Sequence, residues 1–474
     1  MNDSRILAQL KAVWCRVKNQ QALEEISKEQ IKNWAVEKGL RVKSAEEREV
    51  GAFRSTPCIV LTLEEGDACF PRFKAGDDPA WIAASEAAER EAALWKKVEW
   101  FSSFWVNRQQ INPLLKDVEN CSQKRAVEMF DYHTSTIYSL AFQAVCIAQV
   151  IPGSHSLKEF SPLVREAFLA FYSGYRASSI SALMPIVEGS LSRIVASYGS
   201  GLTIGAKIDR AIDRAIQTAA RMHYGNVWIP DEFTKLNYLF AQDERVFVFE
   251  TFRRWLHNSF FMNTGEYDGV TWLNRHLFAH GASADWQQSA NFSRLILALA
   301  TMGVVESWHD ESNAVKLFFP NMNEDGTLLW EQGRFNINAQ ILLKVMEEKR
   351  YHGSGKLVPE LPTDDGVLLR AALLSEDCMK DLVRPLRDAG WSVAVSEPDE
   401  EAIFMRVVAS CKDISFGVAL LYSCATDNSI YRELAVESLA ILYRGAPYKQ
   451  AQYTQGVDVH VGPVLGWQPP VAPQ

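Results

Sequence analysis

The chain has 474 residues, 47% of them hydrophobic and 23% charged, with a formal net charge of −9. That length exceeds what one hydrophobic core supports and predicts roughly three domains, while the composition is that of a folded globular protein and excludes wholesale disorder. The overall field repels phosphate, so nucleic acid would have to be held by a local basic patch.

The eight cysteines are scattered with no Cys-x-x-Cys pair, which excludes paired zinc-ribbon or thioredoxin spacing and argues for reduced, buried thiols. The N-terminus carries Asp3, Arg5 and Lys11 and no apolar core of a secretory signal. The most apolar runs, Leu295–Val305 and Ala141–Ile151, are too short to span a bilayer. The expectation is a cytoplasmic protein that does not engage a membrane.

In chain order, Ile6, Leu7, Leu10, Trp14 and Val17 form a helical stripe, and a second helix is predicted over Lys28–Val36. Pro57–Leu63 reads as a short buried strand closed by the turn-prone Glu65-Gly66-Asp67. A helix rich in aromatics is predicted over Ala80–Val106, with Trp81, Trp95, Trp100, Phe101, Phe104 and Trp105 read as core. A long helix over Gln123–Gln149 ends at the breaker Val150-Ile-Pro-Gly-Ser154, taken as a domain boundary.

From Ser161-Pro162, read as an N-cap followed by proline at the first helical position, the signal is helical throughout. Stripes run through Val164, Ala167, Phe168 and Phe171, then through Ile180, Leu183, Val187, Leu191 and Ile194, with Pro185 kinking that helix or sitting in its first turn. Further helices are predicted at about Ala206–His223, Asp231–Leu239, Arg245–Phe261, Val270–His280 and Ser289–Trp308, the last with Phe292, Leu295, Ile296, Leu299 and Met302 on one face.

Residues 351–365, with Gly353, Gly355, Pro359 and Pro362, read as a linker. Beyond it, a strand-like run over Val367–Leu374, a helix over Asp377–Ala389, strands near Trp391–Val395, Glu401–Val408 and Phe416–Tyr422, and a helix over Tyr431–Arg444 predict a small α/β domain. The tail from Val461, with four prolines, reads as extended. The predicted organisation is mainly α: a mostly helical, mixed α/β region over 1–152, a helical bundle over 153–350, the linker, an α/β domain over 366–460 and a proline-rich tail.

The segment with the most chemistry is Leu273-Asn-Arg-His-Leu-Phe-Ala-His280-Gly281. Arginine offers a permanently charged fork for phosphate oxygens, and histidine exchanges a proton near neutral pH. Together they suffice, without a metal or other cofactor, to cleave RNA through its own 2′-hydroxyl. Residues five apart on a regular helix lie about 140° apart. Arg275 and His280 therefore need either a distorted helix or two copies of the motif meeting across a two-fold axis.

The segment resembles the Arg-x4–6-His signature of the HEPN superfamily. The likeness extends upstream into Phe168-Leu-Ala-Phe-Tyr-Ser-Gly174, Ala182-Leu-Met-Pro-Ile-Val-Glu188-Gly189 and Arg193, and downstream into Phe292–Val305, covering about residues 160–310. The resemblance implies a HEPN-like helical bundle and a metal-independent endoribonuclease that works as a homodimer, in antiviral defence or as a toxin beside a co-encoded regulatory or antitoxin protein. It further implies that Arg275 holds the scissile phosphate, that His280 transfers a proton, and that Asn274 and His276 support them. Glu188 would orient Arg275 or His280. His276 stands where asparagine is frequent in the family. Arg253, Arg254 and His257, on one predicted helix, are the candidates for local positive charge toward RNA.

Two other readings compete. In the first, Arg275 bridges to Glu188 purely for packing and His280 closes a helix before Gly281, leaving a non-catalytic dimerisation scaffold that binds a protein. His276 and His280 also have the spacing of zinc ligands, but no glutamate completes a His-Glu-x-x-His motif and nothing singles out Asp285 or His309 as a third ligand. Arg210, Arg214 and Arg221, beside Asp209 and Asp213, read as a solvated face, and His133, His223 and His460 as structural.

Overall fold

The computed structural model describes residues 4–199, 201–282, 285–309, 321–356 and 366–473. The chain is mainly helical, with a three-stranded sheet near its N-terminus and a five-stranded sheet near its C-terminus. It divides into two compact units, one of Met1–Phe171 with Ala177–Gly333 and one of Tyr172–Arg176 with Arg334–Gln474. Among the described residues no helix is long and apolar enough to cross a membrane.

The larger unit opens with α1 (Ser4–Lys18) and α2 (Lys28–Glu37). Ser27 and Gln30 form a reciprocal capping box that starts α2. β1 (Val42–Val50), β2 (Thr56–Leu63) and β3 (Gly66–Pro71) make an antiparallel meander in that order. Only β2 was legible from its apolar run. β1 carries three glutamates on an exposed edge, where charge blunts further pairing, and β3 returns from the expected Glu65-Gly66 turn.

α3 (Pro79–Lys97) is capped by Asp78 and ends well short of the expected Val106. The chain turns sharply at Glu99, whose φ is +54°, and carries Trp100 and Phe101 into the core, as their apolar character requires. α4 (Arg108–Asp117) and α5 (Gln123–Ile137) follow. The long helix expected over Gln123–Gln149 breaks at Tyr138, and α6 (Leu140–Val145) passes through a π-turn, Cys146–Val150, into the short α7 (Ile151–Gly153). The expected boundary at Pro152 is thus helical and lies inside one compact unit.

α8 (Ser161–Tyr172) is entered directly from a 3-10 turn, so Ser161 is itself helical (φ −52°) and is not the predicted cap. α9 (Arg176–Ile194) holds Pro185 in its interior. α10 (Ile204–His223), α11 (Leu236–Gln242), α12 (Glu244–Trp255), α13 (Arg275–Ala279) and α14 (Ala290–Ser307) complete the unit. α14 is buried on nearly every side rather than one, since Leu297, Ala298 and Ala300 are as inaccessible as the predicted stripe. The fully buried Arg294 in its middle is matched by Asp131 at 2.6 Å and by the carbonyls of Val98 and Glu99, as burial of a charge demands.

α15 (Glu324–Gly353), which belongs to the second unit from Arg334 on, runs across the start of the expected linker and closes at Gly355, which is left-handed (φ +67°); 357–365 lie outside the described residues. α16 (Gly366–Asp377) is a helix where Val367–Leu374 was expected to be a strand, a short apolar run whose period cannot distinguish the two. A π-turn, Cys378–Val383, leads into α17 (Arg384–Asp388). β4 (Ser392–Val395), β5 (Phe404–Cys411), β6 (Ile414–Leu421), β7 (Ser438–Tyr443) and β8 (His460–Pro463) form the sheet in that order, antiparallel from β4 to β6 and parallel from β6 to β8. α18 (Asn428–Glu437) is the crossover between β6 and β7, so the single helix expected over Tyr431–Arg444 is half strand; α19 (Gln450–Tyr453) follows β7. The tail is not loose. Beyond β8, Trp391 Nε1 donates to Pro470 O at 2.7 Å and Ala472 N to Ala389 O at 2.9 Å.

A candidate active site on the Arg275 turn

Beyond α12 a π-turn, Leu256–Phe260, carries the chain toward an irregular stretch that folds over Glu99. The buried Glu99 carboxylate accepts Val270 N at 2.6 Å, Thr271 N at 3.2 Å and Thr271 Oγ1 at 2.5 Å, with Gln123 Nε2 at 3.0 Å. Just beyond these anchored residues Trp272 is left-handed (φ +54°), a conformation a regular helix does not contain. The helix expected over Val270–His280 is therefore reduced to α13, five residues long.

Asn274 fixes that turn. It is fully buried, its Oδ1 accepting His276 N at 2.9 Å and Leu277 N at 3.1 Å, its Nδ2 donating to Ser259 O at 2.8 Å and Met262 O at 2.9 Å. Asn274 is thus an N-cap and a strut to the π-turn, with its hydrogen-bonding groups engaged in the fold. At the other end Gly281 adopts φ +61°, with Gly281 N on Phe278 O and Ala282 N on Leu277 O. This is a Schellman closure, and it requires the left-handed residue that glycine supplies.

Arg275 is presented at the surface of this doubly capped turn. Its Nε lies 2.8 Å from Glu188 Oε2 on α9, the side chains 36% and 35% exposed. His280 is the C-cap residue and exposed, and His276 is partly exposed. The fold brings Arg275 and Glu188 together; among the described residues no hydrogen bond joins the His280 ring to either. One turn along α9, Ser192 Oγ donates to Glu188 O and receives Lys207 Nζ of α10, at 2.9 Å each. This link reaches the Glu188 backbone and not its carboxylate, and no spacing in the sequence signals it.

Arg253, Arg254 and His257 are committed to carboxylates. Arg253 pairs with Asp213 at 2.6 Å and Glu250 at 2.5 Å. Arg254 binds Glu89 at 2.7 and 3.0 Å and Glu250 at 3.0 Å, and Glu89 first, then Glu250, hold its guanidinium still more firmly protonated. His257 Nε2 lies 3.0 Å from Asp209 Oδ1. As they stand, these three are paired with four carboxylates, Asp213, Glu250, Glu89 and Asp209, and do not form an open phosphate patch. Arg210 lies over the Tyr198 ring.

His223, isolated in sequence, pairs in the core with Asp243 at 2.8 Å, and Asp243 also binds Arg245 at 2.6 Å. Among the described residues no group of three or more His, Cys, Asp and Glu is placed to hold a metal ion; His309, a candidate third ligand, turns its Nε2 to Ala211 O at 2.7 Å.

No family model matches the chain, and no curated protein or solved structure matches it.

Proposed function

We propose that the larger unit is a metal-independent endoribonuclease of the HEPN type, acting as a pair of copies. The observation that carries this reading is the partly exposed Arg275–Glu188 pair, displayed on a turn capped at both ends with His280 exposed at its close. In the proposed reaction an RNA 2′-oxygen bonds to the adjacent phosphorus and the bond to the departing 5′-oxygen breaks. His280 exchanges the proton and Arg275 stabilises the charge gathering on the phosphate oxygens. Glu188 acts as a positioning residue, fixing the guanidinium through Nε and leaving its terminal nitrogens for phosphate. Since residues five apart on a helix diverge by about 140°, the arginine of one copy would work beside the histidine of the second. A co-encoded protein that restrains the activity belongs to the same reading.

The test is incubation of the purified chain with unstructured RNA in a metal chelator. Fragments ending in 2′,3′-cyclic phosphate are expected, and Arg275→Ala or His280→Ala should abolish them; cleavage surviving in both variants would overturn the assignment. One observation favours a second reading, a non-catalytic scaffold binding a protein partner: Arg253, Arg254 and His257 are each engaged by a carboxylate. That reading expects no cleavage of any RNA.

A further inference from the structure

One face of α15 is tied to the chain that follows β6 and β7. Glu348, 7% exposed, accepts Tyr422 Oη at 3.1 Å and lies 3.5 Å from an Arg444 guanidinium nitrogen. On the roughly opposite face, Phe335, Leu342 and Met346 are 73%, 65% and 67% exposed. With Ala339 they follow one another at intervals of four, three and four residues and fall within about 60° of arc. An exposed apolar stripe with alternating three- and four-residue steps is the pattern by which one helix lies along another.

The order of side chains along the stripe selects the partner. Consider two copies of α15 running antiparallel about a two-fold axis between Ala339 and Leu342. Ala339 then meets Leu342 of the second copy, and Phe335 meets Met346 of the second copy. Each layer sets large against small or sulfur against a ring. Leu343, 51% exposed, flanks the axis and widens the contact. A parallel pair would oppose alanine to alanine and leave a void.

Charge agrees with the antiparallel choice. Glu331 stands beside one end of the stripe and Lys349 continues it at the other; both are exposed, and among the described residues neither has an ion pair. Antiparallel pairing brings each Glu331 next to Lys349 of the second copy, twice by symmetry. Parallel pairing would set lysine against lysine.

We propose that α15 is a self-association surface, pairing antiparallel with α15 of a second copy through Phe335, Ala339, Leu342 and Met346. This contact does not rest on the chemistry assigned to Arg275 and His280. A seam of four layers is short, so the pairing should be reversible, with a Kd of about 1–100 μM.

The experiment is sedimentation equilibrium of the full chain across about 1–100 μM, where a monomer–dimer equilibrium is expected. Leu342→Glu and, independently, Met346→Lys should each weaken association by about tenfold or more. Ile341→Glu is the control: Ile341 is also apolar and 55% exposed, but points about 100° away from Leu342, and its substitution should leave the Kd unchanged. Glu331→Lys should weaken the dimer, and adding Lys349→Glu to it should restore the original Kd. A chain monomeric at every concentration would overturn the proposal and leave the stripe to a different protein or to another part of this chain. A dimer indifferent to Leu342→Glu and Met346→Lys, or a double charge reversal that fails to restore association, would sink it equally. RNA cleavage by the same samples is scored separately, so failure of the nuclease reading and failure of this one are distinguishable.

Discussion

Arg275 on α13 and Glu188 on α9, 87 residues apart in sequence, are joined by one hydrogen bond of 2.8 Å from Nε to Oε2, with roughly two thirds of each side chain shielded from water. Ion pairs this accessible contribute only about 0–1 kcal/mol to stability. Arg275→Ala should therefore leave the urea midpoint almost unmoved while eliminating RNA cleavage. Glu188→Gln, which keeps an acceptor but loses the charge, should retain part of the activity. A large loss of stability in Arg275→Ala would show that the arginine serves packing instead.

Asn274 behaves oppositely. Replacing it by alanine removes a helix cap, about 1 kcal/mol, and strips two buried carbonyls, Ser259 O and Met262 O, of their donor, at about 1–3 kcal/mol each. Asn274→Ala should lower unfolding free energy by about 3 kcal/mol in a denaturant titration. Asn274→Asp restores the cap acceptor but sets a carboxylate against those carbonyls, and should be no better.

Arg294 and Asp131 test the core. With Arg294 fully buried and its partner at 2.6 Å, Arg294→Met would strand a carboxylate beside Trp100, at a cost of about 3–5 kcal/mol. The double change Arg294→Met with Asp131→Leu should recover much of that loss, because an apolar pair of similar volume removes the stranded charge. Equal destabilisation by the single and double changes would argue against this account.

His352 on α15 gives the smaller unit a pH dependence. Burial, and after it the Arg444 guanidinium, hold this imidazole below its ordinary value of 6.5. A depressed value means the folded state favours the neutral ring. The associated stability is present above about pH 6.5 and is lost as pH falls through the folded value. The thermal midpoint should decline on acidification from about pH 7 to pH 5, and less steeply in His352→Gln. His309 in the larger unit, lowered chiefly by burial, should act with the same sign.

Much of the helical framework was readable because α1, α10 and α14 bury apolar residues at helical spacing. The errors have local causes. β1 has too many charges to look like a strand, and α16 is too short and apolar for its period to decide its type. The 270–280 segment failed for another reason: Val270 and Thr271 are anchored to Glu99, a partner about 170 positions away that no local pattern announces, and Trp272 turns left-handed before the helix can start. At the candidate site, Glu188 beside Arg275 is one of the two placements the resemblance implied, the other being beside His280. Asn274 was given a supporting role by the resemblance, and nothing in its local sequence signals that it is a buried cap. The engagement of Arg253, Arg254 and His257 depends on Asp213, Glu89 and Asp209, which lie on other helices.

Glu99 carries a consequence for how this molecule could have evolved or be dissected. One carboxylate on the N-terminal side tethers the strand of chain that leads to Arg275, and the neighbouring Val98 and Glu99 carbonyls also receive Arg294 of α14. The 160–310 stretch is consequently not a cassette that could be cut out or grafted elsewhere intact. Excised alone it would forfeit the anchor that shapes its own loop, so recombination breakpoints and trimmed expression fragments are tolerable only outside the span from Val98 to α14.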